Sequence, residues 1–247
     1  MNIEIPKHLI HENEDITLKT DLLNNKLIVG CCGQSRSGKD TLAKELSETY
    51  GYKRIAFGDA LKETMNEHLK EIVHQDLLSK RIDIPLEKIN FLEEKDKLIK
   101  EALRPYMIFF GEEMRRINGK FYWIHKAFEK IGDSNKVVIS DVRRIDELDI
   151  FRGNVMSQNR QLENLIYAGY HDTENIVNFD QKFESILFHI NQYKLQDKDE
   201  LTVKAIQMAH EDWLFADTIY IDSRIPEDHR ETYIKTKTYL MHTKYSL

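Results

Sequence analysis

Nine residues, Gly33-Gln34-Ser35-Arg36-Ser37-Gly38-Lys39-Asp40-Thr41, constrain this chain more than any others. Before them stands KLIVGCCG, a short apolar and partly β-branched run that reads as a buried strand. After them, DTLAKELSETYG places Leu42, Ala43, Leu46 and Tyr50 on one helical face, with Gly51 as the stop. A strand, a loop of spacing GxxxxGK and a helix together make a phosphate-binding loop. Gly33 and Gly38 allow the backbone angles that aim successive N–H groups into one concavity. The following helix N-terminus adds its own N–H groups and dipole. Lys39, expected on a surface loop, supplies a point charge between β- and γ-phosphates. The residue after that lysine is usually Ser or Thr, whose hydroxyl binds Mg²⁺. Here it is Asp40, whose carboxylate can hold Mg²⁺ directly or through water, with Thr41 next to reach the α-phosphate.

A second chemical element is Ser140-Asp141-Val142-Arg143-Arg144, which closes the apolar run Val137-Val138-Ile139. In open α/β sheets ligands bind beyond the carboxyl ends of the strands, so this segment and the loop share one edge. Asp141 suits a Mg²⁺-bound water, and Arg143 suits phosphoryl oxygens. Further arginines stand where a second phosphate could sit. Arg104 precedes Pro105, a pair that predicts a helix starting there with Arg104 at its mouth. Arg115 and Arg116 follow Gly111-Glu112-Glu113.

The rest of the chain sets the frame. Residues 1–25 have no clear period and read as an arm before a domain spanning 26–247. Arg54 to Phe57 reads as a second short strand, and Asp59, Leu61, Met65, Leu69, Ile72 and Val73 fall at helical spacing. The charged stretch 76–98 reads as a helix or a helical excursion on the surface. FYWIHKAFEKI reads as a helix with Trp123, Ile124, Ala127, Phe128 and Ile131 inward. Later, NLIYAG (164–169) is a candidate strand, IVNFDQKFESILFHINQY (176–193) a helix, LTVKAIQMAHEDWL a helix and ADTIYIDS a strand. The tail from Asp228 reads as a helix. Strands alternating with helices imply a parallel sheet with right-handed crossovers.

Charge and composition exclude several classes. With 36 Lys+Arg against 42 Asp+Glu, the net charge of −6 argues against general nucleic-acid binding. No apolar run approaches the ~20 residues of a membrane helix, and the N-terminus lacks a signal-peptide pattern. The two cysteines, Cys31 and Cys32, are adjacent, which argues against a disulfide framework or a zinc site and points to a reducing cytoplasm. The ten histidines form no metal-binding pattern. A homodimer stays open.

The ordered set GxxRSGKDT, FGDALKE, RPxxxxxGEExR, a strand ending in SDVR with a glutamate four residues after Arg143, and AHEDWLFADTIYIDS resembles the deoxynucleoside monophosphate kinases of tailed bacteriophages. The resemblance implies a P-loop three-layer α/β fold with a five-stranded parallel sheet, of the nucleoside monophosphate kinase type. It implies transfer of the ATP γ-phosphate to a deoxynucleoside monophosphate. Gly33 to Thr41 would hold ATP and Mg²⁺. Asp59 and Lys62 would border the monophosphate site within a helical excursion over 59–130, and Arg104 and Arg116 would grip its phosphate. Asp141 and Arg143 would serve the metal and the transferring group. A lid over the ATP phosphates or a static surface insertion is expected within 145–202, where the chain departs from the family and carries Arg152 and Arg160. Since fold does not fix substrate, two alternatives stand beside this reading. One is a kinase of another small phosphorylated acceptor, such as phosphomevalonate or dephospho-coenzyme A. The other is a nucleotide-binding regulator that has lost catalysis.

Overall fold

Leu27–Cys32 forms β1, and every residue after Leu27 in it is buried. A strand buried on both faces belongs in the middle of a parallel sheet. The sheet has five strands in the order β2-β3-β1-β4-β5, with β2 at Lys53–Ile55, β3 at Lys136–Val142, β4 at Glu184–Gln192 and β5 at Phe215–Ile221. Every pairing is parallel. The computed structural model describes residues 5–10, 21–34, 37–93, 96–158, 184–192, 200–211, 215–221, 225, 227–245 and 247. Its chain divides into two compact units, Thr20–Ile55 with Ile131–Leu247, and Met1–Lys19 with Ala56–Lys130.

The sheet unit has three layers. Helices α1 (Lys39–Tyr50) and α8 (Glu227–Tyr245) pack together on one face. Leu42, Ala43, Leu46 and Met241 close there over Val29, Cys31, Val138, Phe188 and Ile190. On the other face, α6 (Ile145–Gln158) packs on β4 and on α7 (Glu200–Glu211). The Phe151 ring and Leu187 crowd the Cα of Gly30, so β1 and α6 approach without a side chain between them.

The helical unit contains α2 (Phe57–His68), α3 (Lys70–Ser79), α4 (Lys97–Asn118) and α5 (Tyr122–Phe128). Phe110 meets Trp123 edge-on, and the indole N–H of Trp123 donates to the Gly111 carbonyl at 3.0 Å. All five apolar residues expected to face inward from the aromatic helix are buried. Asn118 donates to the Leu9 carbonyl at 2.9 Å, which ties residues of the N-terminal segment to the end of α4.

Three local expectations are overturned. The segment 176–193 is not a helix where it is described: Glu184–Gln192 is β4. Its run Ile186-Leu187-Phe188-His189-Ile190 is apolar on both faces and so carries no period to separate strand from helix. β4 also removes these residues from the expected lid. Of the rest of 145–202, Ile145–Gln158 is α6 and residues 200–202 begin α7, while 159–183 and 193–199 lie outside the described residues, as does the strand expected at 164–169. The charged stretch 76–98 is not one helix. α3 ends at Ser79, and among the described residues a 3₁₀ turn, Leu86–Lys88, follows before α4. Finally, the helix carrying Pro105 starts at Lys97, so Arg104 lies mid-helix. Asp96 caps it by accepting the N–H groups of Leu98 and Ile99. Leu103, Tyr106, Phe110 and Met114 keep one buried stripe running past the proline, which outweighs its missing hydrogen bond.

Candidate functional site

The register of the sheet assembles the site. Cys32 is the partner of Val142 on β3 and of His189 on β4. The next residues of β1 and β3, Gly33 and Arg143, therefore leave the carboxyl edge side by side, with Ile190 of the longer β4 beside Gly33. This is the reversal point of the strand order, where open α/β sheets bind ligands. Gly33 has no space for a side chain: a Cβ there would overlap the Ile190 carbonyl oxygen and stand 2.8 Å from Ser37 Oγ. Gly38 has φ +94° and starts α1 from a left-handed conformation that other residues avoid. Ser35 and Arg36 lie outside the described residues.

Lys39 is the first residue of α1 and only 1% exposed, which corrects the surface position expected for it. Its ammonium donates to the Gln34 carbonyl at 2.9 Å. Burial pulls its pKa down, and the Arg143 charge does so further. Asp40 and Asp141 oppose both effects. In the loop and at the end of β3, four buried polar atoms have no hydrogen-bond partner among the described residues: Gln34 Oε1, Ser37 Oγ, Ser140 Oγ and Arg143 Nε. Leaving such groups unmet costs free energy, so this edge is built for a polar ligand.

Glu147 fixes the β3–α6 corner. Its buried carboxylate accepts the backbone N–H groups of Arg143 and Arg144, at 2.7 and 3.0 Å. It stands at the start of α6, where a carboxylate also meets the positive end of the helix dipole. Arg144 Nε donates to Asp146 at 3.3 Å. Asp40 and Thr41 are exposed on the first turn of α1. Arg54 Nη2 on β2 stands 3.3 Å from Asp40 Oδ1. Beneath the loop, burial pushes the Cys31 and Cys32 thiols up to about 12, which makes them inert packing groups.

On the neighbouring strand His189 is 6% exposed. Its Nδ1 lies 3.1 Å from Nε2 of His210 on α7, with the rings edge to face. Burial pulls its pKa down to about 4, helped by His210.

The other expected residues lie in the helical unit. Asp59 and Lys62 pair at 3.1 Å on α2, and both are about one-third exposed. The charge of Asp59 also acts on Lys130. Arg104 is exposed on α4. Arg116 is 69% exposed and forms an ion pair with Glu113. Arg115 differs: it is 16% exposed and pairs with Glu112 at 3.4 Å. At helical spacing Arg104, Ile108, Gly111 and Arg115 form one stripe, so Arg115 shares a face with Arg104 and Arg116 does not. A count of eleven residues from Arg104 was available in the sequence as the signal. No such signal existed for the Arg54, Ser140 or His189–His210 placements, which depend on strand order.

The strand–loop–helix, the buried lysine and the arginine-bearing edge of a five-stranded parallel sheet define a P-loop phosphotransferase. The family model for phosphomevalonate kinase matches residues 31–157, just over half of the chain, and the chain belongs to that family. Among solved structures, the chain is similar to a dephospho-CoA kinase from Campylobacter jejuni at 13% identity, over 90% of this chain and 97% of that one (TM-score 0.40). It is also similar to a putative kinase from Chloroflexus aurantiacus, at 12% identity over 91% and 98% (TM-score 0.37). A thymidylate kinase from Ehrlichia chaffeensis aligns at 16% identity over 87% and 98% (TM-score 0.32). No curated protein matches the chain significantly in sequence.

Proposed function

We propose that this protein is an ATP-dependent kinase of a small phosphomonoester, converting it to a diphosphate. The observation that carries the reading is the buried Lys39, whose charge interacts with those of Arg143 and Asp141, in a loop and strand end where Ser37, Ser140 and Arg143 hold buried polar atoms unmet among the described residues. Lys39, Ser37, Ser140 and Arg143 offer donors to the oxygens of a polyphosphate. Gly33, Gln34, Ser35, Arg36, Ser37, Gly38, Lys39 and Thr41 would cradle ATP, through the loop's N–H groups and the start of α1. Asp40, Thr41 and Asp141 would hold Mg²⁺. Among the described residues no three His, Cys, Asp or Glu side chains converge on a metal position. That suits Mg²⁺, which takes one or two carboxylates and fills its shell with phosphate and water oxygens. A bound Mg²⁺ would neutralise charge building on the β- and γ-phosphates.

The chain's own residues then do electrostatic work. Lys39 and Arg143 hold fixed positive charge where negative charge develops in transfer. Glu147 keeps Arg143 aimed by fixing its backbone. A phosphomonoester oxygen is already anionic at neutral pH, so transfer needs positioning more than a general base. Asp59, Lys62, Arg104 and Arg116 of the helical excursion would hold the acceptor, and Arg115 joins Arg104 there because of the shared stripe.

Two acceptors are supported by particular observations. The family match, which runs from the loop through α4 to α6, favours phosphomevalonate. The ordered motif set favours a deoxynucleoside monophosphate. ADP release measured with ATP and Mg²⁺, against phosphomevalonate and each of the four deoxynucleoside monophosphates, separates them. Turnover with one acceptor class and none with the other assigns the substrate. ATP binding without turnover on any phosphomonoester overturns the reading in favour of a nucleotide-binding regulator.

A further inference from the structure

Asp40 replaces the neutral hydroxyl that phosphate loops usually carry after the lysine, and the exchange gives the resting site an extra charge to satisfy. A hydroxyl can wait for its cation in water. A carboxylate on the first turn of α1 adds an acidic group there. The chain meets that charge from β2. Arg54 Nη2 lies 3.3 Å from Asp40 Oδ1, with the arginine side chain 36% and the aspartate 61% exposed. The strand fixes this placement. Lys53, Arg54 and Ile55 pair with Val137, Val138 and Ile139, and burial of Ile55 inward turns Arg54 to the opposite face. The Arg54 charge also reaches the loop's base, where with Lys39 it opposes the rise in the Cys31 pKa while Asp40 adds to it.

A guanidinium and a divalent cation need the same carboxylate lone pairs, and they repel each other. We propose that Arg54 is a positioning residue for Asp40 that competes with the divalent cation. It holds the carboxylate while the cation is absent, and it lowers the affinity with which the cation fills the site beside a bound nucleotide. The Asp after the loop lysine and the Arg on β2 thus act as one unit. This inference rests on the phosphate-loop kinase reading above.

The test titrates Mn²⁺ into the full-length protein with ADP, following free Mn²⁺ by electron paramagnetic resonance, with thermal melts to check folding. Arg54→Gln is expected to tighten Mn²⁺ binding about two- to fivefold, the scale of one exposed ion pair. Arg54→Lys should return the affinity toward wild type. With Asp40→Ser as the background, adding Arg54→Gln should leave Mn²⁺ affinity where the single Asp40→Ser variant has it. Unchanged or weaker Mn²⁺ binding in Arg54→Gln overturns the proposal. So does an equal shift in the Asp40→Ser background, because Arg54 would then act on the phosphates and not on Asp40. Wild-type protein that binds no Mn²⁺ with ADP overturns the kinase reading itself. Wild-type binding with an unresponsive Arg54 overturns only the role of Arg54.

Discussion

The carboxylate of Glu147 accepts the backbone N–H of Arg143 at 2.7 Å, from four residues further along the chain. One side chain thereby fixes both the start of α6 and the exit angle of β3. Glu147→Ala strands the two N–H donors of Arg143 and Arg144 and should cost about 1–3 kcal/mol. Glu147→Gln keeps an acceptor oxygen and should cost less. ATP affinity should fall with the alanine variant because Arg143 loses its aim. Urea unfolding and nucleotide titration read both effects, and wild-type values for the alanine variant would remove Glu147 from the account.

Gly33→Ala is expected to disturb two things at once. The new methyl meets the Ile190 carbonyl oxygen, which belongs to a paired strand and cannot turn aside. Overpacking of this kind costs about 1–3 kcal/mol. The loop must move to relieve it, so nucleotide binding should weaken together with stability. A variant equal to wild type in melting temperature and ATP affinity would mean that the loop start is not seated on β4.

Lys39→Met separates charge from packing. Methionine fills most of the space of the lysine stem, and removing a desolvated ammonium relieves a cost. The melting temperature of the ligand-free protein should hold or rise. Turnover should fall by about 10²-fold or more, as for the loss of a preorganised charge at a transferring group. A parallel drop in stability and activity would instead make Lys39 a structural residue.

His189 makes stability depend on acid. Its folded-state pKa of about 4 lies below the ordinary 6.5. The unfolded chain therefore takes up the proton first, between those two values. Stability is fully present above pH 6.5 and is lost as pH falls toward 4. Between pH 7 and 5 the loss from this group should be about 2 kcal/mol. Urea unfolding of His189→Gln across that range should fall less steeply than wild type, and parallel curves would exclude the histidine as the cause.

Much of this site was legible in the sequence because its parts are local. Strands β1, β3 and β5 announce themselves as β-branched runs, and the loop is one contiguous motif. What was not legible depends on neighbours far along the chain. β4 is covered on both sides, so its apolar run has no period, and only pairing with β1 and β5 makes it a strand. The start of α4 was masked by Pro105, a strong first-turn signal, although Asp96 was the actual cap. The burial of Lys39 follows from β3 lying beside β1, which puts Arg143 and Asp141 around the ammonium. No spacing rule encodes that adjacency.

The central place of β1 has a consequence for synthesis on the ribosome. The phosphate-loop motif emerges early, yet β1 is flanked by β3 and by β4, and β4 follows it by more than half the length of the chain. Long-range parallel pairing of this kind forms slowly and late. Until Glu184–Gln192 is translated, one edge of β1 is bare and the floor under Gly33 is missing, because that floor is the Ile190 carbonyl. A nascent chain or a truncated product ending before β4 therefore carries the whole nucleotide motif without a nucleotide site. It also presents an apolar strand edge, the feature by which unfinished chains stick to one another and are taken up by chaperones.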